Sequence, residues 1–200
     1  MITDYAGLVA SVSNWLHRAD LAPIVPDLIM LAEQRMNADL KSRHMDTTVT
    51  LTCTGDVSTV AMPDDLLEVR RLKVLADPAQ VLKYLSPDQL AQTYAIADAR
   101  MPINFTAIGN DFELGPTPDQ DYPLELVYCQ AIPALSSANT SNWLLAGHPN
   151  AYLFGALCEA QPYLKDDSRV AVWDQKYKEA VSGINSIDWY SGSTMRVSVR

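Results

Sequence analysis

The stretch TTVTLTCT, residues 47–54, decides how the chain is read. It is β-branched, and Val49, Leu51 and Cys53 alternate with threonines, the period-two signature of a strand with one buried face. Everything before it repeats at helical spacing. Thr3 or Asp4 is placed to cap a first helix whose stripe is Tyr5, Leu8, Val9, Val12, Trp15 and Leu16. Leu21–Pro26 breaks that helix. A second runs from Asp27 to about Ser42, with Leu28, Ala32, Met36 and Leu40 four apart and Glu33, Arg35 and Asp39 off the stripe. A short Pro-containing link between two such helices predicts an antiparallel pair.

After residue 54 the strand-like segments continue. Gly55-Asp56 reads as a turn, with Val57–Met62 returning as the partner of the first strand. Leu67–Ala76 carries Arg70, Arg71 and Lys73, and Val81–Leu85 is a short strand. Ser86-Pro87-Asp88 opens a short helix running to about Ala97. Pro102–Ile108 and Phe112–Leu114 form a hairpin around Gly109-Asn110-Asp111. Leu124–Gln130 alternates again. Helical spacing then returns, with a helix from Pro149 along Tyr152, Leu153, Ala156, Leu157 and Ala160. The last helix begins near Ser168, with Val170, Trp173, Tyr177, Ala180, Val181 and Ile184 on one side.

Helices, then strands, then helices predict an α+β fold. Its expected form is one domain over 1–190, a helical bundle built from both chain ends (3–42 and 142–188). An antiparallel β-rich insertion occupies 46–131, and an extended tail occupies 191–200. In that tail Met195, Val197 and Val199 alternate with Arg196, Ser198 and Arg200 after Gly192, a strand pattern that suits either a frayed terminus or pairing with a sheet edge on another chain.

Composition narrows the function. The 200 residues carry a net charge of −9, too acidic for a protein that grips phosphate backbones. Residues 51–130 hold 12 acidic and 5 basic side chains, so the β-rich part carries most of that charge. It is suited to facing solvent, repelling DNA in a channel, or meeting a basic partner. No run approaches the ~18 to 20 apolar residues of a membrane span, and the acidic start is unlike a signal peptide, so a soluble, unexported protein is expected. His17, His44 and His148 lack metal-site spacing, and Cys53, Cys129 and Cys158 read as buried small hydrophobes in a reducing compartment. Neither a nucleophile elbow nor a phosphate-binding glycine loop is present. The acidic pairs Asp64-Asp65, Asp119 with Asp121, and Asp166-Asp167 suit acid–base work or cation binding in principle. Each sits by a turn or helix start, where capping explains Asp64-Asp65 and Asp166-Asp167. No metal, no cofactor and no enzymatic activity are expected.

The run from 142 to 181 resembles a signature of the head-to-tail adaptors of tailed bacteriophages, also described as portal adaptors or head-completion neck proteins. Its parts are Trp143-Leu144-Leu145, the aromatic helix Tyr152–Leu157, Glu159-Ala160, Leu164 with Asp166-Asp167, and Trp173. Ile108-Gly109, Phe112-Glu113-Leu114, Pro116-Thr117-Pro118 and Leu124–Tyr128 are similar to the family's hairpin and following strand. Trp15–Leu21 and Leu31–Asn37 are similar to its first two helices, so the likeness covers nearly the whole chain. The resemblance implies a structural protein of the virion neck, assembled in the host cytoplasm. It implies a homo-oligomer, a ring usually of twelve copies, beneath a portal protein and above tail, nozzle or fibre proteins, with double-stranded DNA passing through. It also implies that the C-terminal Met195, Arg196, Val197, Ser198, Val199 and Arg200 bind the portal or a neighbouring copy. Two other readings remain open at this point: a small phage-encoded cell-wall hydrolase, and a neck or tail-completion protein of another layer.

Overall fold

The computed structural model describes residues 2–95, 99–164 and 168–187. The protein is mixed α and β, with two four-stranded sheets and six α-helices among the described residues. It divides into two compact units. One gathers the chain up to His44 with everything from Ile132 onward, and the other is Met45–Ala131.

In the helical unit α1 (Tyr5–Leu16) starts where the Asp4 carboxylate accepts the Gly7 N–H, and it buries Leu8, Val12 and Leu16. Trp15, placed on that stripe by spacing, is half exposed instead. A 3-10 turn over Ala19–Ile24 leads into α2 (Val25–Asp39). Pro26 does not precede α2 but sits in its first turn, where a missing N–H costs nothing. The sequence reading passed over α4 (Trp143–Gly147), which is capped by the Asn142 side chain. Next come α5 (Pro149–Glu159) and α6 (Arg169–Ile187).

The organising element is α5. Seven of its eleven residues are buried, and α1, α2 and α6 all pack on it. The first two helices therefore pack chiefly against α5 and only secondarily on each other. Gly155 makes this approach possible. A Cβ there would lie 3.3 Å from Ala32 Cβ and 3.4 Å from the Tyr177 ring.

The β unit is two sheets enclosing one core. The first has the order β1 (Asp46–Cys53), β8 (Tyr122–Gln130), β3 (Leu66–Val74), β4 (Gln80–Val81), all antiparallel. The second is β2 (Thr59–Ala61), β7 (Asp111–Gly115), β6 (Asn104–Ile108), β5 (Lys83–Tyr84), with β5 parallel to β6. Alternation along β8 buries Tyr122, Leu124, Leu126 and Tyr128 against Phe105, Phe112 and Leu114 of the other sheet. The β6–β7 hairpin turns through Gly109 and Asn110, with Gly109 at φ 61°, where a side chain would be strained. Helix α3 (Pro87–Thr93) carries the Ser86 cap and a reciprocal Gln89 bond, and it ends before the residues expected to extend it.

One pairing differs from expectation. The strand after Gly55-Asp56 does not return along β1. It crosses to the second sheet and pairs with β7, while β1 pairs with β8. The turn is held by a distant loop: Gly55 N–H donates to Asp121 Oδ1, Asp56 N–H donates to the Pro118 carbonyl, and Gly55 lies against the Gln120 backbone. Local turn chemistry is the same for both routes, and only the long-range bonds choose. The expected tail residues Met195, Arg196, Val197, Ser198, Val199 and Arg200 lie outside the described residues, as do Ala97 and Asp166-Asp167.

Gly155→Val is expected to destabilise the protein by about 1–3 kcal/mol through overpacking between α2, α5 and α6. Gly183→Ala, on open helix surface, should be neutral or stabilising by up to about 1 kcal/mol. Urea unfolding of the two variants beside the natural protein measures both.

Candidate functional site

The acidic pairs are the natural place to look for chemistry, and the structure spends them on architecture. Asp64 and Asp65 form the turn into β3 that Pro63-Asp64-Asp65 predicts, and they cap no helix. Asp65 Oδ1 accepts from the Tyr128 hydroxyl at 2.9 Å, and Oδ2 accepts from Gln130 Nε2 at 2.6 Å. The Asp65 carbonyl takes the Ala131 N–H at 2.7 Å, so this one residue ties down the end of β8. Burial, followed by the Asp65 carboxylate, pushes the Tyr128 phenol up to about 12. Asp119 accepts from the Tyr122 hydroxyl, and Asp121 from Gly55. Among the described residues no group of His, Cys, Asp and Glu is placed to hold a metal ion. The three cysteines are buried and free, and burial raises the Cys158 thiol to about 11, away from nucleophilic use.

The helical unit holds two polar centres that side-chain spacing did not reveal. Glu33, taken as off the stripe, is 5% exposed. Its Oε1 accepts the Leu135 N–H at 2.8 Å and the Tyr152 hydroxyl at 3.0 Å. Asn142 Nδ2 donates to the Tyr152 oxygen and to the Pro133 carbonyl, while its Oδ1 caps α4. Asn37 Oδ1 takes the Ile132 N–H. Burial raises the Glu33 pKa, and the two donors offset this only in part. The one sequence signal was Asn142 just before an apolar run, the pattern of an N-cap.

Arg35 is the second centre. Its guanidinium reaches Asp174 at 3.0 Å, Glu159 at 3.5 Å and Asp39 at 3.7 Å, and lies 4.3 Å from the centre of the Tyr177 ring. The Tyr177 hydroxyl donates to Asp39. Burial is the largest influence and disfavours the Arg35 charge, but the Asp174 hydrogen bond together with the fields of Tyr177, Cys158 and Asp174 outweighs it, and the pKa lies above normal. The Asp174 carboxyl is held low by Lys178 and then Arg35. An open groove of about 640 Å³ runs beside Arg35, Asp39, Tyr177 and Asn185. Its polar groups already serve one another, and Asn185 bonds both Lys41 N–H and the Asp39 carbonyl. Both centres are braces that pin α2 to α5, α6 and the 132–142 connector.

The sequence model of the SU10 adaptor protein family matches residues 3–198. The chain belongs to the SU10 adaptor protein family. This is a family of phage head-to-tail adaptors, structural components of the virion neck that interact with portal and tail proteins. The match spans both units, and the resemblance read from residues 142–181 and 108–128 falls within it. No curated protein matches the chain. Among the described residues no helix is long and apolar enough to cross a membrane.

The raised Glu33 pKa sets a pH dependence of stability for the adaptor. The folded state holds this proton more tightly than the unfolded state. Its penalty is therefore absent below the ordinary glutamate range and grows as pH rises towards the folded pKa. Glu33→Gln keeps an acceptor without the charge. Its stability relative to the natural protein should rise across that pH window and then level off. Glu33→Ala leaves two buried donors unpaired and should cost about 1–3 kcal/mol for each. Chemical denaturation between pH 4 and 8 measures all three proteins.

Proposed function

We propose that this adaptor forms a ring of twelve copies beneath the portal, joins capsid to tail, and lets double-stranded DNA pass through its centre. The family match over nearly the whole chain carries this reading. The helices of both chain ends make the bundle of each subunit, and the C-terminal tail extends from it. The tail residues Met195, Arg196, Val197, Ser198, Val199 and Arg200 pair with a sheet edge of the portal or of a neighbouring copy. Tail, nozzle or fibre proteins attach on the far side, and assembly takes place in the host cytoplasm. The acidic excess of residues 51–130 supports a channel that offers DNA no adhesive contacts.

The protein acts without enzymatic chemistry. A cell-wall hydrolase needs an acid and a base facing each other across an open cleft. Asp65, Asp119 and Asp121 instead accept hydrogen bonds that hold strands and turns in place.

Mass photometry tests the assembly. The chain alone is expected to be monomeric or weakly associated, and mixing with its portal should yield a complex heavier by a ring of copies. A stable ring without portal overturns portal-templated assembly, and failure to bind portal overturns the function. Truncation after Tyr190 should leave melting nearly unchanged and weaken attachment. Attachment equal to that of the intact chain removes the tail from the interface.

A further inference from the structure

The β unit has an open flank where its two sheets should close. β4 and β5 are two residues each, and between them the chain steps from the edge of one sheet to the edge of the other at Leu82. Leu82 N–H donates to the Leu72 carbonyl, and Lys83 and Leu85 N–H groups donate to the Ile103 and Phe105 carbonyls. The outer edge of β6 beyond Phe105 has no strand partner among the described residues. Strand hydrogen bonding alternates, and the Phe105 carbonyl faces outward to Leu85 N–H, so Ala107, two residues on, presents its N–H and C=O to the same side. The opposite wall, β3, is irregular here, with register shifts between Leu66 and Glu68 and between Val69 and Arg71. A regular partner strand is therefore better accommodated by β6.

Between these walls lies a cleft of about 330 Å³. Leu72, Leu82 and Phe105 form its buried floor, and Val69 and Ala107 line its sides. Its rim exposes Tyr84 at 61% and Val81 at 48%. An apolar slot beside an unpaired edge takes an extended peptide with alternate apolar residues.

We propose that this cleft receives the C-terminal segment, residues 191–200, of a second copy of the chain, added as a strand along β6. Met195, Val197 and Val199 share one face of a strand and span five residues, enough to set Val197 beside Ala107 with an apolar neighbour on each side. Arg196, Ser198 and Arg200 then face outward. Arg70 and Arg71 beside the cleft are paired with Asp46, Glu68 and Glu125, and the two tail arginines oppose in sign the acidic excess of residues 51–130 as a whole. The 13 residues after Ile187 reach about 40 Å when extended, enough to leave one subunit for another. The docking rests on the homo-oligomeric reading above, in which each copy offers one tail and one cleft, so weak single contacts add up around a ring.

A labelled synthetic peptide of residues 188–200 is titrated into the full chain carrying Val197→Asp, which disables its own tail, and followed by fluorescence anisotropy. Saturable binding is expected. Ala107→Arg or Tyr84→Ala in the chain, or Val197→Asp in the peptide, should each weaken it about tenfold or more. Tyr84 is surface-exposed, so its variant serves if Ala107→Arg does not fold. No saturable binding, or binding indifferent to the cleft variants, overturns the proposal. In the full chain with Ala107→Cys and Val197→Cys, oxidation should link one chain to another, the three natural cysteines being buried. A disulfide formed only within one chain overturns the second copy as donor. Neither measurement contains a portal. Peptide binding with no portal complex defeats the function and spares the cleft, and the reverse result defeats the cleft alone.

Discussion

One buried carboxylate fixes where the chain goes after it leaves the sheets. A lone charge inside a protein is costly unless its oxygens are satisfied, so Glu33 demands donors. It finds them in the Leu135 N–H and the Tyr152 hydroxyl. Those two bonds place the 132–142 connector over α2 and set the rotation of α5. Asn142 extends the network by bonding Tyr152, holding Pro133 and capping α4. With α5 so placed, Gly155 allows α2 and α6 to close on it, and Arg35 pins that closure through Asp174, Glu159 and Tyr177.

The β unit follows the same logic at its own exit. Asp65 holds the end of β8 through Tyr128, Gln130 and the Ala131 N–H. Asp121 secures the turn where the chain changes sheets. Carboxylates used as fasteners in this way are not available as a general acid or base. An adaptor has to transmit position between neighbours and needs stiff subunits. Polar braces of fixed geometry supply stiffness that apolar packing alone specifies less sharply.

For a protein of this kind the informative surfaces are edges and not pockets. Polar groups lining the open groove beside Arg35 are bonded to partners within the subunit. The flank between β3 and β6 is different, because among the described residues no strand covers its backbone groups and apolar floor. Around the opening stand the short β5, the irregular β3 and the ion pairs of Arg70 and Arg71, features that discourage indiscriminate edge pairing.

The sequence by itself determined most of the order of elements, a first cap at Thr3 or Asp4, the cap at Ser86, the Gly109 hairpin and the family. These rest on interactions between residues a few positions apart, or on motifs in linear order, and such information is local. The inward faces of β1 and β8 were equally legible, because a period of two names the buried side before any partner is known. Tertiary structure decided which strands pair. Gly55-Asp56 is a plausible hairpin turn, and only bonds from Pro118 and Asp121 send the chain to the other sheet. It also decided that Glu33, off its helix's apolar stripe, is buried and that Trp15, on its own helix's stripe, is exposed. A helical stripe records hydrophobicity along one element. Burial depends on what covers that element, and here the cover arrives more than a hundred residues later, as Leu135 and Tyr152.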